Sequence, residues 1–417
     1  MFQKLAYQKN KLHIESVDIA SIAKQYGTPC YIYSQQALEK NWQEFTDAFG
    51  NIPYQICYAV KANGNLAILN FFAKKQAGFD IVSVGELERV LLAKGDPKRI
   101  IFSGVAKLER EILRAIEMGV GCFNIESEPE LIRLHTLAAQ QKKVVNIALR
   151  INPNIDAKTH PYIATGLSDN KFGIDSEDAL ALCEKIQTTF PYCKLIGIAC
   201  HIGSQLTELN PFLEAIDRVL ELVALLKKSN IQLQHIDVGG GLGVCYKHET
   251  PPAIQKYVKA ICQKLAGHSL EIIVEPGRAL VANTGILLTR IEYLKHTRHK
   301  NFAIVDAGMN DLLRPALYDA WHPIIPVTLH STIEEKNYDI VGPVCESSDF
   351  LGKNRMLAIQ EGDLLAVDIA GAYSACMSSH YNARPRAAEV MVDRENTYLI
   401  RRRETMEDLW AQENIIL

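Results

Sequence analysis

Gln55-Ile56-Cys57-Tyr58-Ala59-Val60-Lys61-Ala62-Asn63 reads as a short strand that ends on a lysine. Ile56, Tyr58 and Val60 alternate and are β-branched or aromatic, which is the period and composition of a buried strand. Asn63-Gly64-Asn65 then reads as a turn that opens a helix. Lys61 stands one residue past the apolar run, where a lysine stem packs on apolar walls and its amine enters a cleft. Desolvation depresses an ammonium pKa, and the neutral amine adds to an aldehyde. A strand-end lysine with its amine in water is the commoner arrangement, so Lys61 gains a chemical reading only from the rest of the chain.

Outward from this stretch a rhythm appears. Strand-like runs fall near 56–60, 79–83, 99–103, 122–126, 144–150, 195–200, 234–238 and 271–275. Segments of helical period separate them, at 65–76, 86–94, 107–118, 128–141, 176–190, 210–229 and 251–267. Gly78, Gly95 and Gly119 follow helical runs and are expected to end them. Eight strands alternating with helices predict an α/β chain built on a parallel (β/α)8 TIM barrel, with a doubly wound sheet as the rival. A further helix is expected from Ser34 or Gln35 to Phe49. Beyond Arg278 the pattern turns to strands, as in 285–293, 302–306 and 363–367, with few long helices. Residues 1–35 read as short β pieces. The expected organisation is a barrel over 36–280 and a mostly antiparallel β domain, barrel or sandwich, from 1–35 and 281–417.

Composition narrows the function classes. A chain of 417 residues is more than one core usually serves. A net charge of −3 argues against a nucleic-acid or acidic-membrane partner. No run is long enough to span a bilayer, and Met1 to Glu15 lacks the apolar segment of a secretory signal. The ten cysteines are scattered with no Cys-x-x-Cys pair, so no metal site is expected and a reduced, cytoplasmic protein is.

The chemistry-bearing residues fall at the predicted strand ends, where barrels gather their functional groups. Lys61 ends the first strand, Asp80 lies in the second, and Arg150 ends the fifth. The sixth runs into His201-Ile202-Gly203-Ser204-Gln205, the seventh into Gly239-Gly240-Gly241-Leu242-Gly243, and the eighth into Glu275-Pro276-Gly277-Arg278. A glycine cluster exposes backbone N–H groups to a phosphate, to which Arg278 adds charge and Ser204 a hydroxyl. Taken alone, the glycines describe a flexible turn, His201 a capping histidine and Glu275 a partner for Arg278. Together with a lysine amine they describe a pyridoxal-phosphate site, with His201 flat on the ring and Glu275 on its nitrogen.

On these motifs the chain resembles the fold-type III, alanine-racemase-like pyridoxal-phosphate decarboxylases. Arg314-Pro315-Ala316-Leu317-Tyr318, Cys345-Glu346-Ser347-Ser348-Asp349 and Gly371-Ala372-Tyr373 extend the match and point within them to the diaminopimelate decarboxylase family. The resemblance implies that Lys61 holds the aldehyde of pyridoxal 5'-phosphate, with Asp80, Arg150, His201, Ser204, Gly240, Glu275, Gly277, Arg278 and Tyr373 around the cofactor. It implies that Arg278, Arg314, Tyr318, Glu346 and Tyr373 hold meso-diaminopimelate and that Cys345 is the proton donor; Lys61, Cys345 and His201 form the catalytic set. It further implies a homodimer with shared active sites, because in the family the cysteine and glutamate reach the other subunit's cofactor. Asn170 and Ala383 stand where the family usually carries serine.

The substrate reading has a physical basis. A guanidinium clamps a carboxylate in two-pronged fashion, which suits Arg314 or Arg278, and Glu346 supplies an anion for a distal ammonium. Ornithine would leave that clamp unpaired. The rival readings are an ornithine-, arginine- or carboxynorspermidine-type decarboxylase, an alanine racemase, and a non-catalytic pyridoxal-phosphate regulatory protein.

Overall fold

The structure is a computed structural model that describes residues 4–156, 163, 165–166 and 170–416. The chain divides into two compact units. One comprises the residues up to Trp42, Cys245–Glu249 and those from Leu280 onward; the other comprises Gln43–Val244 and Thr250–Ala279.

The second of these is a closed parallel barrel. Its strands are β1 (Tyr54–Ala59), β2 (Gly78–Ile81), β3 (Ile100–Phe102), β4 (Cys122–Ile125), β5 (Val145–Asn152), β6 (Cys193–Cys200), β7 (His235–Asp237) and β8 (Glu271–Val274). Each pairs in parallel with the next, and β8 returns to β1 through Val274 opposite Ile56. Closure removes both sheet edges, so no strand is left to template aggregation. Cys57, Ile101, Cys122, Ala148, Ile196 and Ile273 form one buried cluster drawn from six strands. Two of its members are cysteines, which act here as small hydrophobes. Phe79, Phe102 and Phe123 are fully buried, the last two with ring centres 6.0 Å apart.

Helices α1 (Leu66–Lys74), α2 (Val84–Leu92), α3 (Glu109–Met118), α4 (Glu128–Gln140), α5 (Ser176–Thr189), α6 (Asn210–Lys228) and α7 (Ile254–Lys264) follow the first seven strands. Their starts are chemically set: Asn65, Ser83 and Ser127 each accept a first-turn backbone N–H. Of the three glycines expected to end helices, Gly119 alone does so in the left-handed conformation, at φ 71°. After α1 and α2 that conformation falls to Gln76 and Lys94. Gly78 and Gly95 are required instead for close packing, since a Cβ would come 2.6 Å from Cys57 Sγ at the first and 2.5 Å from Val90 Cγ1 at the second.

The other unit is a mixed sheet in the order Phe350–Leu357, Lys336–Val341, Asn301–Val305, Gly285–His296, Cys30–Ser34, Ala388–Asp393 and Asn396–Arg401. Most neighbours are antiparallel, but Asn301–Val305 runs parallel to Lys336–Val341 and Ala388–Asp393 parallel to Cys30–Ser34. The N-terminal β pieces lie in this unit, and among them Ile19–Tyr26 is a helix where β structure was expected. Asp18 caps it, and Ile19, Ile22 and Ala23 recur at helical spacing on its buried face. No helix among the described residues is long and apolar enough to cross a membrane. The ten cysteines are free.

Phe79, Phe102 and Phe123 lie on the strand face opposite the cluster of Cys57, Ile101 and Cys122, so they fill the layer between barrel and helices. Phe123→Ala should lower the stability of the barrel by about 3–5 kcal/mol. A chemical-denaturation midpoint unchanged from wild type would contradict that role.

Candidate active site

Lys61 lies in a tight turn, Val60–Ala62, directly after β1. The turn is braced from both sides. Tyr58 Oη donates to the carbonyl of Asn63 at 2.9 Å, and Asn63 Oδ1 accepts from the backbone N–H of Asn65 at 3.1 Å. The Lys61 side chain is 38% exposed and its Nζ donates to Asp80 Oδ2 at 2.7 Å. Asp80 Oδ1 is buried and has no hydrogen-bond partner among the described residues.

Two further carboxyls end β7 and β8. Asp237 Oδ1 accepts from the Gly239 N–H at 2.9 Å, and the Asp237 and Glu275 side chains are hydrogen-bonded to each other. Ionised carboxylates only accept, so that contact needs a proton between them. Burial raises the Glu275 pKa well above the usual carboxylate range; nearby Asp237 and Asp80 add to the shift and Lys61 opposes it. Burial likewise pushes Asp237 up, to about 6. Glu275 Oε1 is buried without a partner among the described residues and lines a cavity of about 180 Å³ with Lys61, Asp80, Arg150 and His201.

The loops after β6, β7 and β8 interlock. Gly239 and Gly241 take φ values of 69° and 108°, conformations open to glycine. A Cβ on Gly240 would meet the Glu275 carbonyl oxygen at 2.2 Å. The Gly240 N–H donates to His201 Nδ1 at 3.1 Å, which leaves the ring hydrogen on Nε2. Burial and the Arg150 and Lys61 cations hold the His201 pKa well below its ordinary value, so the imidazole is neutral. Arg278 Nη2 donates to Ser204 Oγ at 2.9 Å, and Gly277 is buried beside it.

Sequence reasoning missed Asp237 and Glu126. Glu126 follows β4 and accepts from Arg150 Nη1 at 2.8 Å and from the N–H groups of Gly104 and Gly173 at 3.1 Å each. It thus fixes Arg150, whose guanidinium also lies 4.9 Å from the Phe172 ring centre. Both missed acids sit at strand ends, the signal that singled out Lys61 and Glu275.

The remaining predicted residues belong to the mixed-sheet unit. Arg314 is buried at the start of the helix Arg314–Tyr318, which Tyr318 ends. Cys345 and Glu346 are exposed. Their loop is pinned by buried Asp349, whose oxygens accept from Met309 N and Val344 N at 2.6 Å. Asn382 Oδ1 accepts the Cys345 N–H at 2.8 Å, and Tyr381 Oη donates to Glu346 Oε1 at 2.8 Å. Tyr373 holds φ 54°, an unusual conformation for an aromatic residue. Of the two departures from the family pattern, Asn170 and Ala383 are both described, whereas the neighbouring Asp169 lies outside the described residues.

The barrel residues fit pyridoxal phosphate on their own chemistry. An unpartnered buried carboxyl oxygen suits a protonated ring nitrogen, a strand-end lysine suits an aldehyde, and glycine loops with Arg278 and Ser204 suit a phosphate. The carboxyl pair also gives a pH test. A carboxyl with a raised pKa favours the folded chain while it keeps its proton. For Asp237 that contribution is whole below 3.8 and is lost as pH climbs through about 6. Cofactor-free protein should lose melting temperature between about pH 4 and pH 6, and Asp237→Asn should lose less. Equal losses in both proteins would contradict the assignment.

Comparison with known proteins agrees with this chemistry. Residues 35–282 match the family model for the pyridoxal binding domain of pyridoxal-dependent decarboxylases. The chain is 56% identical to the diaminopimelate decarboxylase of Vibrio cholerae over 98% of each chain, and 53% identical to that of Haemophilus influenzae over 98% and 99%. Among solved structures, the diaminopimelate decarboxylase of Helicobacter pylori complexed with L-lysine superposes with a TM-score of 0.91 at 42% identity, covering 95% of this chain and 99% of that one. The M. jannaschii diaminopimelate decarboxylase gives 0.94 at 37%, covering 99% and 98%. A lysine/ornithine decarboxylase from Vibrio vulnificus, at 21% identity and a TM-score of 0.79, shares the fold. With six strand ends carrying one cofactor's chemistry and full-length identity of this order, the chain belongs to the diaminopimelate decarboxylase family of pyridoxal-dependent decarboxylases.

Proposed function

We propose that this chain converts meso-2,6-diaminopimelate to L-lysine and carbon dioxide, the last step of lysine biosynthesis, as a cytoplasmic homodimer with shared active sites. The observation that carries the reading is the barrel mouth, where Lys61, a hydrogen-bonded pair of buried carboxyls and a glycine cradle meet. Pyridoxal phosphate, when bound, supplies the electron sink that lets a carbon–carboxylate bond break.

The protein's own groups do the rest. Lys61 Nζ holds the cofactor's aldehyde, with Asp80 and Arg150 nearby. Glu275, steadied by Asp237, faces the ring nitrogen and keeps its proton in place. Neutral His201 adds a flat face without adding positive charge. Gly240, Ser204, Gly277, Arg278 and Tyr373 receive the phosphate. Because the Arg278 guanidinium is bound to Ser204 beside the glycine loops, Arg314 is assigned the carboxylate that survives in lysine. Tyr318, Arg278 and Tyr373 complete the substrate contacts. Glu346 takes the distal ammonium, and Cys345 Sγ delivers the proton to the carbon that has lost its carboxylate. The exposed position of Cys345 and Glu346 supports their donation to the site of a second copy. The ten free thiols support a reducing compartment.

Cys345→Ala should cut turnover about 100-fold or more while the bound cofactor's absorbance persists. Unchanged turnover would remove Cys345 from the mechanism. Lys61→Ala and Cys345→Ala fail in different halves of a shared site, so mixing the two inactive dimers should restore roughly a quarter of wild-type activity through heterodimers. No recovery after subunit exchange would refute sharing.

A further inference from the structure

Arg314 is held by two rings of its own unit. Its Cζ lies 4.4 Å from the centre of the Tyr246 ring, and its Nη1 lies 2.8 Å from Nε2 of His322. His322 is 0% exposed, and its Nδ1 lies 2.9 Å from the backbone oxygen of Asp368. A carbonyl oxygen only accepts, so Nδ1 carries the ring hydrogen. A guanidinium only donates, so Nε2 presents its lone pair to Arg314. Both neighbours demand the same neutral tautomer.

The Asp368 carbonyl is itself fixed. The Asp368 N–H donates to the Pro323 carbonyl at 2.8 Å, and the Asp368 carboxylate accepts from Ile369 N and Lys4 Nζ. Ile369 takes φ 56°, a strained conformation for a β-branched residue. The chain therefore holds the His322 acceptor at some cost in local strain.

We infer that His322 is a positioning residue for the carboxylate clamp: it and Tyr246 fix the orientation of the Arg314 guanidinium and so set the affinity for dicarboxylate substrate. This rests on the role given to Arg314 above. The Tyr246 ring bounds the guanidinium on one side, and the bond to Nε2 fixes the direction of one of its N–H groups. A guanidinium held in this way is oriented before substrate arrives, which lowers the ordering cost of a two-pronged grip.

Two amide substitutions separate the halves of the imidazole. His322→Asn places an amide nitrogen near Nδ1 and removes the acceptor at Nε2. Gln places an amide oxygen near Nε2. With holoenzyme and meso-diaminopimelate, His322→Asn should raise KM and weaken inhibition by L-lysine about tenfold or more, with kcat within about threefold and cofactor retention unchanged. His322→Gln should recover most of the loss. Tyr246→Leu, which removes the stacking face, should shift KM in the same direction. KM and lysine inhibition within about twofold of wild type in His322→Asn would overturn the inference. So would Gln performing no better than Asn, or a matching fall in cofactor retention. Wild-type holoenzyme that releases no carbon dioxide from meso-diaminopimelate would instead refute the proposed function, and this role with it.

Discussion

Three carboxyl groups, Asp80, Asp237 and Glu275, converge inside one barrel, and the Lys61 ammonium is bound to the first of them. Burying that much potential negative charge is unfavourable unless protons or cations compensate. The chain meets the constraint in two ways. Asp237 and Glu275 share a proton, and the other oxygen of Glu275 is buried, without a partner among the described residues, on the cavity that Lys61 also lines. A protonated ring nitrogen would give that oxygen a donor. Cofactor choice thus follows from an electrostatic imbalance built at the ends of β2, β7 and β8, with neutral His201 adding surface and no charge.

Backbone geometry makes this arrangement reproducible. Closure of eight parallel strands brings side chains far apart in sequence to one rim. Interlocking loops then fix them: Gly240 has no room for a Cβ against the Glu275 carbonyl, and Glu126 ties β5, through Arg150, to the loops that carry Gly104 and Gly173. The mixed-sheet unit uses a similar economy. Asp349 pins the loop that carries Cys345 and Glu346, and His322 with Tyr246 brackets Arg314.

Much of this was legible in the sequence. Strand period placed all eight barrel strands, and Lys61, His201 and Glu275 stood out because they end strands in a run of eight. The N-terminal helix Ile19–Tyr26 was missed because its eight residues are short and sit among β pieces, though Asp18 and the Ile19, Ile22, Ala23 spacing mark it. Asp237 was hidden by the conspicuous glycines that follow it. Glu126 looked like an ordinary acid before a helix, and His322 lies in no motif. Their roles arise from hydrogen bonds between residues distant in sequence, such as Asp237 with Glu275, which periodicity does not encode. Gly78 and Gly95 were misread for the same reason, since the atoms that exclude a Cβ there include Cys57 and Phe79.

Lysine formation by this chain requires the barrel's cofactor residues to act on a substrate carrying a second carboxylate. Carbon dioxide release by the purified holoenzyme, measured with meso-diaminopimelate, L-ornithine and L-arginine in parallel, tests it most directly. Rapid release from meso-diaminopimelate, with lysine as product, and little from the other two is expected. Release from ornithine without release from diaminopimelate would contradict it.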